Sequence, residues 1–368
     1  MPAITSFTYT ANPSRVVFGS GTLRQVASEA ERLSLSRLLV LSTAPQKDSA
    51  ERVAQLLAGR TAGIFSGAVM HTPVDITQQA LEIMSTSGAD GIVAIGGGST
   101  IGLSKAIALR TDLPQIVIPT TYAGSEMTPI LGETKDGGKV TQSSPRILPE
   151  VVIYDVDLTM TLPPALSGTS GINAIAHAVE ALYAEDRNPI VTMMALEAIR
   201  ALYEALPAIT IDPSDRAARS AALYGAWLCG TCLGSVGMSI HHKLCHTLGG
   251  TFDLPHAETH TVVLPHALAY NASVVPDVIA QLRSTLQTED PAAALYDLAG
   301  KVGAKRSLSD LGMAESAIDE ATTRALANPY WNPRPLEQAA IRDLIARAWR
   351  GDRPSADDNG GRSNIKDA

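Results

Sequence analysis

From Arg15 to Asp155, short apolar runs alternate with stretches in which apolar residues recur at helical spacing. RLLVLS (37–42), AGIFSG (62–67), DGIVAIGGG (90–98) and QIVIP (115–119) are brief and bounded by Gly, Pro or polar residues, which predicts buried strands. Between them, DSAERVAQLLAG and DITQQALEIMSTSG place apolar positions three and four apart, which predicts helices with one buried face. Strands alternating with helices predict a doubly wound, Rossmann-like parallel sheet. Near Asp155 the alternation stops, and YDVDLTMTLPP reads as a linker. From Pro164 to about Arg350 the pattern is almost entirely helical, from ALSGTSGINAIAHAVEALYA to LEQAAIRDLIARAWR. The expected fold is an α/β N-terminal domain over 1–160 and an all-helical C-terminal domain over 161–351. The polar stretch 352–368, rich in Gly, Asp and Ser, is expected to be a disordered tail.

Size and charge narrow the function. A chain of 368 residues exceeds one ordinary core, so two domains agree with the pattern. A net charge of −8 offers no basic surface for nucleic acid or an anionic membrane. The N-terminus lacks a basic segment followed by an apolar one, and no apolar run reaches the roughly 18 residues of a spanning helix. Three cysteines do not make a disulfide framework. Cys229 and Cys232 form CGTC, but the flanks are apolar and helical and no second pair completes a zinc site. A cytoplasmic enzyme acting on a small molecule is expected.

IVAIGGGSTIGLSKA sets Gly96, Gly97, Gly98 and Ser99 between a buried strand and a helix. Glycines allow close approach of the backbone, and unpaired N–H groups at the helix start suit a pyrophosphate. The stretch is neither GxGxxG nor a Walker A loop. IPTTYAGSEMTP (118–129) follows the next strand and carries Thr120, Thr121 and Ser125. Open parallel sheets bind ligands at the carboxyl ends of their strands, where both loops lie. FGSG (18–21) is a third, weaker candidate. Ser42 and Thr43 end the RLLVLS strand, where a carboxylate would contact a ribose hydroxyl. None stands there, so the cofactor is NADH or NADPH.

IHHKLCHTLGGTFDLPHAETHTVVLPH (240–266) holds six of the eight histidines. On a helix His242 and His246 share a face, while His241 points roughly 100° away. A break then returns His256, with His260 and His266 beyond it, and His177 lies four residues after Asn173 on another helix. Imidazole serves as metal ligand and as acid or base, so both readings stand.

GGGS followed by Ser104-Lys105, then PTTYAGSE, a helix with Asn173-x-x-x-His177, and finally H-x-x-x-H and P-H, resembles the iron-containing alcohol dehydrogenase superfamily from about Phe18 to Arg350. The resemblance implies a dehydroquinate synthase-like architecture with the active site in the cleft between the two domains. In metal-using relatives an aspartate and three histidines hold the ion. These positions fall on Asn173, His177, His242 and His256, with His246 as an extra active-site histidine. An amide is a weaker ligand than a carboxylate, so no metal is expected. Three histidines can hold zinc, which makes His177, His242 and His256 the fallback ligands. Gly102 departs from an aspartate common in the superfamily. Within it, NAIAHAVEALYA, GTCLGSVGMSIHHKLCHTLGG and NPRP look like the branch that reduces the C=C bond of maleylacetate to 3-oxoadipate during aromatic-compound breakdown. That branch would use His177, His242, His246 and His256, beside Asn173, for oxyanion stabilisation and protonation. Lys243 and Arg334 would meet the carboxylates of a dicarboxylate substrate. A homodimer is expected. The alternative on the same fold is a metal-dependent (Fe or Zn) alcohol or polyol dehydrogenase.

Overall fold

A computed structural model describes residues 6–12, 14–135, 138–328 and 330–355. They fall into two compact units: Thr10–Pro163 with Asp212–Ser235, and Pro164–Ile211 with the chain from Val236 onward and the N-terminal residues up to Tyr9.

The first unit runs β1 (Arg15–Gly19), α1 (Val26–Arg32), β2 (Leu38–Leu41), α2 (Lys47–Leu56), β3 (Thr61–Phe65), α3 (Val74–Ser87), β4 (Gly91–Gly96), α4 (Gly98–Thr111), β5 (Gln115–Pro119), a hairpin of β6 (Ile130–Lys135) and β7 (Gly138–Ser143), and β8 (Val151–Asp155). Six strands form a parallel sheet in the order β1-β8-β5-β4-β2-β3. Both faces are covered, which is why the strands read as continuous apolar runs. Val40, Val93, Ile95 and Ile116 pack with Val26, Ala30 and Val53 of α1 and α2. Leu39, Leu41, Ile92 and Val117 pack with Ala80, Met84 and Ile107 of α3 and α4. The stretch YDVDLTMTLPP, read as a linker, begins inside β8. There the Asp155 carboxylate accepts from the Gly21 and Leu23 amides at 2.9 and 2.8 Å.

The helices that follow are α5 (Pro164–Leu182), α6 (Pro189–Ile211), α7 (Arg216–Ser235), α8 (Ile240–Phe252), α9 (His256–Asn271), α10 (Pro276–Leu286), α11 (Pro291–Lys301), α12 (Ile318–Leu326) and α13 (Gln338–Arg350). The reading from sequence grouped 161–351 together, and α7 lies in the compact unit that holds the sheet. Gly230 and Gly234 are the reason. A Cβ on Gly230 would lie 2.4 Å from the Gly124 carbonyl oxygen, and one on Gly234 2.6 Å from that of Met127. Two bare positions one turn apart let α7 lie directly on the loop after β5. Among the described residues no single helix is long and apolar enough to cross a membrane. The tail read as disordered lies outside the described residues from 356 onward. Cys229, Cys232 and Cys245 are buried and unbridged, and burial pushes the Cys232 thiol up to about 12.

His266 on α9 is 3% exposed, with Nε2 lacking a partner among the described residues. Burial, with Arg347 adding to it, holds its pKa down at about 3, against 6.5 for a free imidazole. Between those values the unfolded chain binds the proton and the folded chain does not, so stability rises with pH across that window. His266→Leu is expected to flatten the dependence of the urea midpoint on pH between 6.5 and 4, relative to the wild type. An unchanged slope would show that the burial of His266 has no such linkage.

Candidate active site

In the sheet unit, β4 ends at Gly96 with φ 153°, a value that favours glycine. Gly97 stands extended as the N-cap of α4 and leaves the first N–H groups of the helix without a side-chain cap. A Cβ on Gly97 would press on Thr121 at 3.0 Å, whereas Gly98 faces open space. Ser99 is half-buried in the first turn. Thr100 Oγ1, Thr121 Oγ1 and Ser125 Oγ are buried and have no partner among the described residues. Orphaned hydroxyls beside a glycine cradle at a helix N-terminus fit a ligand rich in acceptor oxygens, such as a dinucleotide pyrophosphate.

The loop from Thr120 to Pro129 is held by a residue not singled out from the sequence. Lys105, 1% exposed, donates to the carbonyls of Ser125, Thr128 and Ile130 and to the Thr128 hydroxyl. Burial draws its pKa down to about 7, with Glu126 opposing the shift. Glu126 is buried in turn and accepts from the Tyr154 hydroxyl at 2.8 Å.

The other expected cofactor contacts have partners within the protein. Ser42 is fully buried and its hydroxyl donates to Ser66 Oγ, just past β3, at 2.9 Å. The Thr120 hydroxyl accepts from Gln46 Nε2 at 2.9 Å. In the FGSG turn the Gly21 amide is taken up by Asp155. At Gly102 a Cβ would lie 2.3 Å from Thr72 Oγ1, so the aspartate of relatives has no room here without a shift of Thr72.

In the helical unit, α5 carries Asn173, His177 and Glu180; α8 carries His241, His242 and His246; α9 carries His256 and His260. Glu180, absent from the sequence reading, organises the group. Its fully buried carboxylate accepts from the Ser239 amide and hydroxyl at 3.0 and 2.8 Å and from the His241 amide at 2.7 Å, which caps the start of α8. It also meets His242 Nδ1 at 2.6 Å, and His242 Nε2 lies 2.8 Å from His177 Nδ1. Burial alone would push the Glu180 pKa up; the hydrogen bond from His242, the nearby imidazoles and the Ser239 amide override it and hold it at about 2. An ionised carboxylate only accepts, so His242 Nδ1 bears the hydrogen. With both rings neutral, His242 Nε2 accepts and His177 Nδ1 donates, which leaves the His177 lone pair on Nε2.

His260 is the second missed residue, and it sits at the hub. Its ring centroid lies 4.4 Å from His256, 4.8 Å from His241, 5.1 Å from His242 and 6.5 Å from His246. His241 Nε2 and His260 Nδ1 are 2.9 Å apart, and burial holds both pKa values well below the ordinary range. His241 therefore turns toward His260 and Cys245 and away from His177, as its offset on the helix implies. His246 and His256 are the exposed members, and His266 lies apart against α13.

Asn173, one turn before His177 on the same face, is 3% exposed, and its side chain makes no hydrogen bond to a described residue. A buried amide left this way costs about 1–3 kcal/mol. These residues do not fit a tightly held divalent ion. Nitrogens sharing one ion direct lone pairs at it from about 2 Å each, whereas His177 donates to His242. Among the described residues, the one group of His, Cys, Asp or Glu donor atoms lying within 4.8 Å of one another is His241, Cys245 and His260.

Lys243 Nζ lies 5.6 Å over the Tyr330 ring, with no carboxylate partner among the described residues. Arg334 stacks on the Tyr270 ring at 4.3 Å and donates to the Tyr270 carbonyl at 2.9 Å. Asn332 pairs with Asn271, tying this segment to the end of α9. Tyr330, Trp331, Asn332 and Arg334 line a pocket of about 500 Å³.

Glutamine at Glu180 is expected to keep the cap of α8 in part, through its amide oxygen, and to lose control of the His242 tautomer. Folding should be close to wild type by circular dichroism, with kcat down by about 10-fold or more. In nitrogen NMR the His242 Nδ1 signal should leave the protonated position. An unchanged tautomer would show that Glu180 only caps.

Residues 13–156 match the iron-containing alcohol dehydrogenase family, and residues 167–349 its C-terminal part. The chain belongs to the iron-containing alcohol dehydrogenase family, a class of oxidoreductases. It is 59% identical over 348 residues to a maleylacetate reductase from Rhizobium sp. (strain MTP-10005), covering 95% of this chain and 99% of that protein. It is 54% identical to a maleylacetate reductase from Sphingobium indicum, covering 94% and 98%. The crystal structure of maleylacetate reductase from Agrobacterium tumefaciens superposes with a TM-score of 0.93 at 57% identity, over 95% of this chain and 100% of that one.

Proposed function

We propose that the protein reduces the C=C bond of maleylacetate to give 3-oxoadipate, using NADH or NADPH and requiring no metal ion. The observation that carries this is the chain Glu180–His242–His177 beside an uncharged Asn173, an arrangement suited to protons and oxyanions. The identity with named maleylacetate reductases along nearly the whole chain supports the substrate.

A reduced nicotinamide, when bound, would supply a hydride. The substrate carbon β to the ketone accepts it, the C=C electron pair moves toward the ketone, and the ketone oxygen becomes an enolate. The carbon between them then takes a proton. Hydrogen-bond donors in a dry site hold the enolate, and an imidazole delivers the proton. Glu180 fixes His242 and His177 in place, while His246 and His256 bring exposed imidazoles to the same cluster to supply the proton. Lys243 and Arg334 hold the two carboxylates. Gly97, Gly98 and Ser99 at the start of α4, with Thr121 and Ser125, hold the cofactor.

The test is NADH oxidation with freshly prepared maleylacetate, with the product checked for 3-oxoadipate by mass spectrometry. Primary alcohols with NAD should give little reaction. Brisk alcohol oxidation without maleylacetate turnover would sink the reading in favour of a metal-dependent alcohol dehydrogenase.

A further inference from the structure

An enolate needs hydrogen-bond donors, and the two imidazoles linked to Glu180, when neutral, offer it no free N–H. Glu180 commits His242 Nδ1–H, His242 Nε2 accepts from His177 Nδ1, and His177 keeps its lone pair on Nε2. His241 and His260 spend one nitrogen each on one another. One ring of that pair keeps an N–H on its outer nitrogen, His260 Nε2 or His241 Nδ1. Asn173 adds a buried amide on the face of His177. It is 3% exposed, shares the face of His177, and no described residue bonds its amide. The two ends of the amide exchange by a half turn, so the position of the unpartnered Oδ1 serves equally for Nδ2.

We infer that Asn173 is a catalytic residue whose Nδ2–H donates to the enolate oxygen formed from the ketone of the unsaturated keto acid. This rests on the function proposed above and divides its labour. The amide holds the oxygen as the β carbon gains the hydride and the electron pair shifts, and an imidazole then returns a proton to the carbon between. A carboxylate at this position would repel the enolate unless an ion stood between them. The amide thus suits a site that works with donors alone.

The experiment compares the wild type, Asn173→Ala and Asn173→Asp, with chelator present throughout and NADH saturating. Alanine is expected to lower kcat for maleylacetate by roughly 100-fold, as for other lost oxyanion donors. Aspartate, nearly the same shape but unable to donate when ionised, is expected to lie about tenfold lower still. The Kd for NADH, read by fluorescence, should stay within about twofold in both, which also reports that they fold. Aspartate as active as alanine or better, or alanine close to wild type, would overturn the inference. A wild type that fails to turn over maleylacetate would instead overturn the proposed function.

Discussion

Alanine at His246 or His256 is expected to lower kcat by about 100-fold or more, the range for losing a positioned acid or oxyanion donor. Both rings are exposed members of the cluster, at 6.1 Å from His242 and 4.4 Å from His260 respectively. Removing either one empties no core position and strands no buried charge, so the loss is chemical and not a loss of fold. His241 provides the contrast. It is fully buried, turned toward His260 and Cys245, and held neutral by burial. His241→Ala should lower the melting temperature and change kcat by less than about tenfold, since it touches no reacting atom. Equal kcat losses at His241 and His246 would contradict the assignment of faces on α8.

Aspartate at Asn173 is expected to give the cluster a metal affinity that the wild type lacks. The substitution restores an anionic oxygen one turn before His177, and hard divalent ions favour carboxylate with imidazole. A bound ion would repay breaking the hydrogen bond between His177 and His242. Elemental analysis after identical loading with Fe(II) or Zn(II) should find near-stoichiometric metal in the variant and well under one equivalent in the wild type. Equal metal in both would show that Asn173 does not control binding.

The strands and phosphate loops were legible because a doubly wound sheet writes itself as apolar runs ending in glycine. What stayed hidden depends on contacts between distant residues. Gly230 and Gly234 look like ordinary small positions in α7, and only the approach of the Gly124 and Met127 carbonyls gives them meaning. Ser42 had the right place after β2, but Ser66, on the neighbouring segment, claimed its hydroxyl. The histidine spacing brought His242, His246 and His256 into one group. Glu180 left a signal that could have been used: a lone acid in the apolar helix HAVEALYA, three residues after His177, must be paired if buried. His260, four residues after His256, shares its face by the same rule that joined His242 to His246. Lys105 was quoted within its motif, but its role lies 20 to 25 residues away in the loop it pins.

The proposed chemistry is reduction of an unsaturated keto acid by donors and imidazoles without an ion. Its most direct test is the rate of NADH oxidation with freshly prepared maleylacetate before and after prolonged chelation, with metal content measured on the same samples. Equal rates, with well under one equivalent of metal, are expected. A rate lost on chelation and restored by Fe(II) or Zn(II) would contradict the account.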